Sequence, residues 1–134
     1  MRILLLLVVF LIGSTALADA AEDVAAGQSV IRSQEEAFGR DDAATAYTFA
    51  APSIQSWYRN PEAFMSMVRN GYAPVYRHRS FEFGEATILD GKIVQEVHII
   101  DADGVAWEAR YTLEPQPDGS LKISSCILTK AVIS

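Results

Sequence analysis

The sequence holds one cysteine, two histidines and eleven basic residues in a chain of 134. A single cysteine, Cys126, permits no internal disulfide, so the core alone must hold the fold. The histidines, His78 and His98, lie far apart, and no HExxH or CxxC spacing accompanies them. No metal is expected on that pattern, and no cofactor. Walker loops, GxGxxG and GxSxG are missing too, which removes three common routes to phosphate binding, dinucleotide binding and covalent catalysis. Against eleven basic residues stand seventeen acidic ones, for a net charge of −6. Nucleic acid and anionic lipid are poor partners for such a balance, because both are held through basic patches. The length excludes multidomain enzymes, Rossmann halves and (β/α)8 barrels.

What is present begins with a three-part leader. Met1-Arg2 is a short positive start, Ile3 to Ile12 is an unbroken apolar run, and Ala16-Leu17-Ala18-Asp19-Ala20 supplies small residues for cleavage. This is the pattern of a secretory signal peptide over residues 1–20, cut after Ala18 or Ala20. The run is far shorter than the roughly 20 residues a span needs, so no stable membrane anchor is expected after cleavage. The product would be exported, periplasmic or extracellular. Arg2 and Asp19 both leave with the leader, so residues 21–134 keep the charge of −6 in a single α+β domain.

Residues 21 to about 71 read as helices. Val24, Ile31 and Phe38 recur every seven residues, with Val30 and Ala37 beside them, forming one apolar stripe. Gly39 can end this helix, and Asp41 can cap a second that carries Ala44, Tyr47 and Phe49 before Pro52. Ser53 to Tyr58 has room for one short turn. Asn60-Pro61 is a cap followed by a first-turn proline, opening a third helix through Phe64, Met65, Met67 and Val68 to Gly71.

Residues 80–130 read as strands. Asp-Gly occurs at 90–91, 103–104 and 118–119, each time between β-rich runs, which predicts three hairpins and a four-stranded antiparallel meander. A two-residue first turn would pair Phe83 with His98, whereas a three-residue turn pairs it with Val97. The apolar pattern favours the second, since a slip of one swaps faces. Three-residue turns throughout give one face with the rows Phe81/Ile99/Trp107/Thr129, Phe83/Val97/Ala109/Ile127, Glu85/Gln95/Tyr111/Ser125 and Thr87/Ile93/Leu113/Ile123. The opposite face then collects Glu82/His98/Glu108 and Glu96/Arg110/Cys126.

Two groups of residues stand out as candidate sites. Glu85, Gln95, Tyr111 and Ser125 form a polar row on an otherwise apolar face, a costly arrangement unless it meets water or a ligand. Arg69, Tyr72, Tyr76, Arg77, His78 and Arg79 form the one basic cluster. Arg69, Tyr76, Arg77 and Arg79 in particular could hold an anion such as a carboxylate. The plainer readings are a sheet rim for the first group and surface ion pairs with Glu62, Glu82 or Glu85 for the second. Cys126, with no His or second Cys near it in sequence, reads as a packing residue rather than a reactive thiol.

Three stretches are familiar together: Val30-Ile31-Arg32-Ser33-Gln34 through Phe38 and Asp41-Asp42, then Phe64 to Gly84, then Pro117 to Leu128. They resemble a family of exported bacterial proteins catalogued only as a domain of unknown function, across nearly the whole mature chain. That family looks related to the nuclear-transport-factor-two-like group. The resemblance implies a cone-like fold of nuclear-transport-factor-two-like or cystatin-like type, with N-terminal helices packed on the sheet around a pocket. It brings no catalytic residues with it. In a ketosteroid-isomerase-like reading, Glu85 would be the carboxylate and Tyr111 the oxyanion-binding group, placed by face rather than by motif.

Three functions follow as expectations. The first is non-catalytic binding of a small apolar molecule between helices and sheet. The second is interaction or assembly, including a homodimer, through the outer sheet face. The third is a cofactor-free acid–base enzyme of isomerase or hydrolase type. The absence of a catalytic motif weighs against an enzyme.

Overall fold

The structure is a computed structural model describing residues 6–132, with side chains described from Leu17 onward. Helices come first: α1 (Leu6–Gly39), α2 (Ala43–Thr48), α3 (Pro52–Trp57), α4 (Pro61–Gly71) and α5 (Ala73–Tyr76). Four strands follow: β1 (His78–Leu89), β2 (Lys92–Asp101), β3 (Ala106–Pro115) and β4 (Leu121–Lys130). They form one open antiparallel sheet in the order β1-β2-β3-β4, an α+β meander with the helices on one face. The positive start and apolar run of the expected leader lie outside the residues whose side chains are described, and Ala18 and Ala20 fall within α1.

The apolar stripe of α1 meets the sheet as its spacing requires, with Ile31, Ala37 and Phe38 buried. Gly27 allows the close approach at the near end: a Cβ there would sit 3.4 Å from Ile93 Cδ1. The exit from α1 differs from the expected one. Asp41, not Gly39, takes the left-handed backbone (φ 56°), and Asp42 caps α2 by accepting from the Thr45 amide at 3.1 Å. The conformation at Asp41 is unfavourable for a residue with a Cβ and is tolerated best by Asp and Asn. Its carboxylate gains partners in return, accepting from Tyr76 and from Arg77 Nη2.

Asn60 caps α4 as its sequence indicates, accepting from the Ala63 amide at 2.8 Å. That helix buries Phe64, Met65 and Val68. The short α5, begun by Pro74 in its first turn, has no counterpart in the sequence reading. Between α2 and α3 the chain touches the sheet, where the Ile123 amide donates to Phe49 O and the Ala51 amide to Ile123 O, both at 2.8 Å.

Register in the central pair follows the expected rows, with Ile99↔Trp107, Val97↔Ala109, Gln95↔Tyr111 and Ile93↔Leu113. The turns at Gly104 (φ 85°) and Gly119 (φ 86°) close as three-residue loops. The first turn does not. Asp90 (φ 52°) and Gly91 (φ 75°) form a two-residue turn between Leu89 and Lys92. Both central residues at positive φ suit the right-handed twist of a tight hairpin. A bulge between Phe83 and Ala86 then absorbs one residue, so that Phe83↔Val97 and Phe81↔Ile99 pair after all. The apolar pattern and the turn chemistry thus both prevail, each over its own half of the hairpin.

A second bulge interrupts the pairing of β3 with β4. Leu113 faces Ile123, but Thr112 faces Ser125, leaving Ser124 extra. Beyond it the expected rows shift by one: Tyr111 pairs with Cys126, Arg110 with Ile127 and Ala109 with Leu128. Cys126 therefore moves off the outer face, and Ile127 replaces it there, 55% exposed.

Candidate functional site

The two bulges redistribute the polar row. Glu85 becomes exposed on the outer face, in a shallow groove with Glu96, His98, Glu108 and Arg110. There His98 Nδ1 lies 2.7 Å from a Glu108 carboxylate oxygen, and Arg110 Nε donates to Glu96 at 2.8 Å. Gln95 stays on the inner face, fully buried, but its amide is committed to the backbone. Nε2 donates to Glu96 O at 2.8 Å and to Gly84 O at 3.1 Å, with Glu85 O at 3.4 Å. Its Oε1 accepts from Gln28 of α1 at 3.1 Å. A bulge strands backbone carbonyls away from the ladder, and this side chain satisfies them. Of the four residues only Tyr111 and Ser125 border a common space, and Ser125 now pairs with Thr112 while Cys126 takes the place beside Tyr111.

That space is a cavity of about 240 Å³ between helices and sheet. Phe38, Phe64, Met67, Val68 and Val75 wall the helical side, with Ile54 and Tyr58 at α3 and Tyr72 at the end of α4. The sheet contributes Tyr111 and Ile123, then the small run Ser124-Ser125-Cys126. Small side chains at the β4 bulge opposite bulky aromatic rings leave the volume unfilled. The aromatic wall is itself braced, with Phe38 and Tyr47 rings 6.2 and 5.7 Å from Phe64. Tyr47 also donates its hydroxyl to Tyr58 O at 2.6 Å, tying α3 to α2.

Among the described residues, no Asp, Glu, Lys, Arg or His side chain lines this cavity. Burial holds the Tyr111 hydroxyl well above its ordinary pKa, and the neighbouring Cys126 thiol adds to the effect. Burial likewise pushes Cys126 up to about 12, partly opposed by its hydrogen bond with Tyr111. Tyr72 is raised for the same first reason. Protonated Tyr111, Tyr72 and Cys126 are therefore the state at neutral pH. One further polar group faces in. Gln34 is 4% exposed and donates Nε2 to Ala46 O at 3.2 Å. Among the described residues no protein donor reaches its Oε1, which opens on the cavity.

Sequence reasoning missed Gln34 and Tyr58, and it placed Tyr72 in the basic cluster and Cys126 on the outer face. A signal for the first was present: position 34 lies three after Ile31 and four before Phe38, so a polar residue interrupts the buried stripe. Cys126 was hidden by the one-residue slip in β4.

The basic cluster converges in part, with Tyr76, Arg77 and Arg69 gathered on the Asp41 carboxylate and Arg79 apart from them. Arg77 is held by Asp41 at 3.0 Å and Phe38 O at 2.8 Å, and it stacks 4.0 Å from the Tyr76 ring. The Tyr76 hydroxyl, then Arg77, lowers the Asp41 pKa. Arg79 reaches across to the β2–β3 turn, where a Cβ on Gly104 would lie 3.3 Å from Nη1, and Arg69 is exposed at the end of α4. A separate network was not foreseen. Glu35 accepts from Arg32 and from His78 Nε2 at 2.6 Å, while His78 Nδ1 lies 3.0 Å from Pro74 O. The Arg32 guanidinium in turn lies over the rings of Phe81 and Phe83, pinning the start of β1 to α1.

Among the described residues, no group of three His, Cys, Asp or Glu side chains is placed to hold a metal ion. No described helix is long and apolar enough to cross a membrane. No curated protein and no solved structure matches the chain. The family described as Domain of unknown function (DUF4864) matches residues 20–133, and the chain belongs to that family.

Proposed function

We propose that this family member binds a small lipophilic ligand in the cavity beneath Tyr111, without transforming it. The observation that carries the reading is the roughly 240 Å³ space at the centre of the fold, walled by aromatic and aliphatic side chains with a few polar atoms. Pockets of that make-up are the usual small-molecule sites. Acid–base catalysis is less well supported. A general acid or base works best with a pKa near the operating pH. The groups that could serve here, Tyr111 and Cys126, are displaced away from it. Glu85, the carboxylate that reading wants, is exposed on the other face.

Export belongs to the same proposal. Cleavage after Ala18 or Ala20 leaves every cavity residue in the mature domain, since the first of them is Gln34. A kinship with nuclear-transport-factor-two-like proteins would suit a ligand held between helices and sheet. A second reading, self-association through the outer sheet face, has exposed Ile127 as its observation.

The test is a thermal-shift screen of neutral lipophilic small molecules on the full chain and on Met67→Trp, whose larger side chain takes up part of the cavity. A ligand that binds only the folded state raises the melting temperature. Hits on the parent chain that vanish in Met67→Trp are the expected result. A screen without hits, or hits that persist in that variant, would overturn the proposal.

A further inference from the structure

We infer that the cavity ligand is an uncharged, ring-containing alcohol or phenol of about ten non-hydrogen atoms, its hydroxyl set against Tyr111 and Gln34. This deepens the binding proposed above and rests on it. Three observations select the class.

The first is charge. Among the described residues no Asp, Glu, Lys, Arg or His side chain lines the cavity, and its tyrosines and cysteine stay protonated at neutral pH. A carboxylate, phosphate or ammonium would enter an apolar space without a counter-charge, and the cost of burying an unpaired ion is prohibitive. The part of the ligand that lies inside is therefore uncharged.

The second is shape and size. An engineered cavity of about 150 Å³ accommodates benzene, so a space of about 240 Å³ scales to about ten heavy atoms. Rings of Phe38, Phe64, Tyr58, Tyr72 and Tyr111 surround it. Flat or alicyclic molecules fit such walls through offset and edge contacts, whereas a long flexible chain would lose more rotamer freedom on binding.

The third is hydrogen-bonding capacity. Tyr111 is 2% exposed, and its hydroxyl has the Cys126 thiol as its polar neighbour, a weak partner. Gln34 is 4% exposed, and its Oε1 has no protein donor among the described residues. The cavity thus offers Tyr111 as a donor and Gln34 as an acceptor that the fold leaves underused, with the Tyr58, Tyr72 and Ser125 hydroxyls also in its lining. An alcohol or phenol supplies the complement of each, accepting from Tyr111 and donating to Gln34. A ketone or ether would satisfy only the first, and a hydrocarbon neither.

The experiment is calorimetric titration of the full chain with 4-propylphenol, propylbenzene and 4-propylbenzoate, three probes on one propylbenzene frame. The phenol is expected to bind about tenfold more tightly than the hydrocarbon, the difference one or two buried hydrogen bonds supply. The carboxylate is expected not to bind. Tyr111→Phe, with its fold verified by circular dichroism, is expected to lose part of the preference for the phenol over the hydrocarbon, the Gln34 acceptor remaining. If that variant fails to fold, the three-probe comparison on the parent chain decides alone. Equal affinity for phenol and hydrocarbon, or comparable binding of the carboxylate, overturns the assignment of ligand class while the cavity reading stands. Binding of none of the three, or binding that survives Met67→Trp, overturns both.

Discussion

Gln95→Met removes the amide that holds the β1 bulge while keeping the length of the side chain. In the native fold Nε2 has two hydrogens and serves two close carbonyls, Glu96 O at 2.8 Å and Gly84 O at 3.1 Å. Methionine leaves both without that donor in a position with no solvent exposure. Each stranded acceptor costs about 1–3 kcal/mol. Gln28 loses its acceptor too, but it is half-buried and can turn to water. Against this stands the gain from replacing a buried amide with an apolar group, about 1–2 kcal/mol. A net loss of about 3 kcal/mol follows, and the melting temperature should fall by roughly 10 °C for a domain of this size. Urea unfolding followed by fluorescence measures it, and an unchanged m-value would show that the difference lies in stability rather than compactness. The argument is refuted if Gln95→Met unfolds within about 0.5 kcal/mol of the parent, an ordinary surface-substitution effect.

Two other outcomes are expected. Asp41, Asp42, Asp101, Asp118 and Glu114 all have folded-state pKa values below their ordinary ones, Asp101 chiefly through the Trp107 indole N–H and then the Val105 amide. Depressed carboxylates contribute stability that is complete above the unfolded pKa and is lost as pH falls through the folded value, so melting temperature should drop below about pH 4. A flat profile from pH 6 to 2.5, or one no shallower in Asp101→Asn, would contradict the assignment. Cys126, raised to about 12, has about one thiolate in ten thousand at pH 8. Iodoacetamide should therefore modify the folded chain at least a hundredfold more slowly than the urea-unfolded chain, and similar rates would show that the thiol is neither buried nor suppressed.

The helices other than α5, the four strands and the register of β2 with β3 were legible because each rests on a local rule. Seven-residue recurrence placed Ile31 and Phe38 in the core, Asn60-Pro61 opened α4, and alternation set Val97 and Ile99 facing inward. The site was less legible, because it depends on two single-residue insertions that alternation cannot register. Glu85 and Cys126 exchange faces at those insertions. One of the two bulges needed a balance between turn preference at Asp90-Gly91 and burial of Phe81. A sequence shows both tendencies but not which half of a hairpin each will govern. The departure at Asp41 has the same character. Glycine is the ordinary choice for a left-handed exit, and only tertiary contacts with Tyr76 and Arg77 favour aspartate there.

The position of the bulges has one more consequence. An open four-stranded sheet presents two free edges, one on β1 and one on β4, and each of those strands carries an interruption while the inner pair runs unbroken. A regular edge is a template on which a foreign strand can add. Here the spacing of donors and acceptors along either edge is broken near its middle, and on β4 the chain at Ala50 already occupies the position beside Ile123. The same irregularities that carry Cys126 to the cavity and satisfy Gln95 also deny an incoming chain a continuous ladder. Growth of the sheet by strand addition is disfavoured at both ends, a safeguard against fibre-like aggregation in a chain without disulfides.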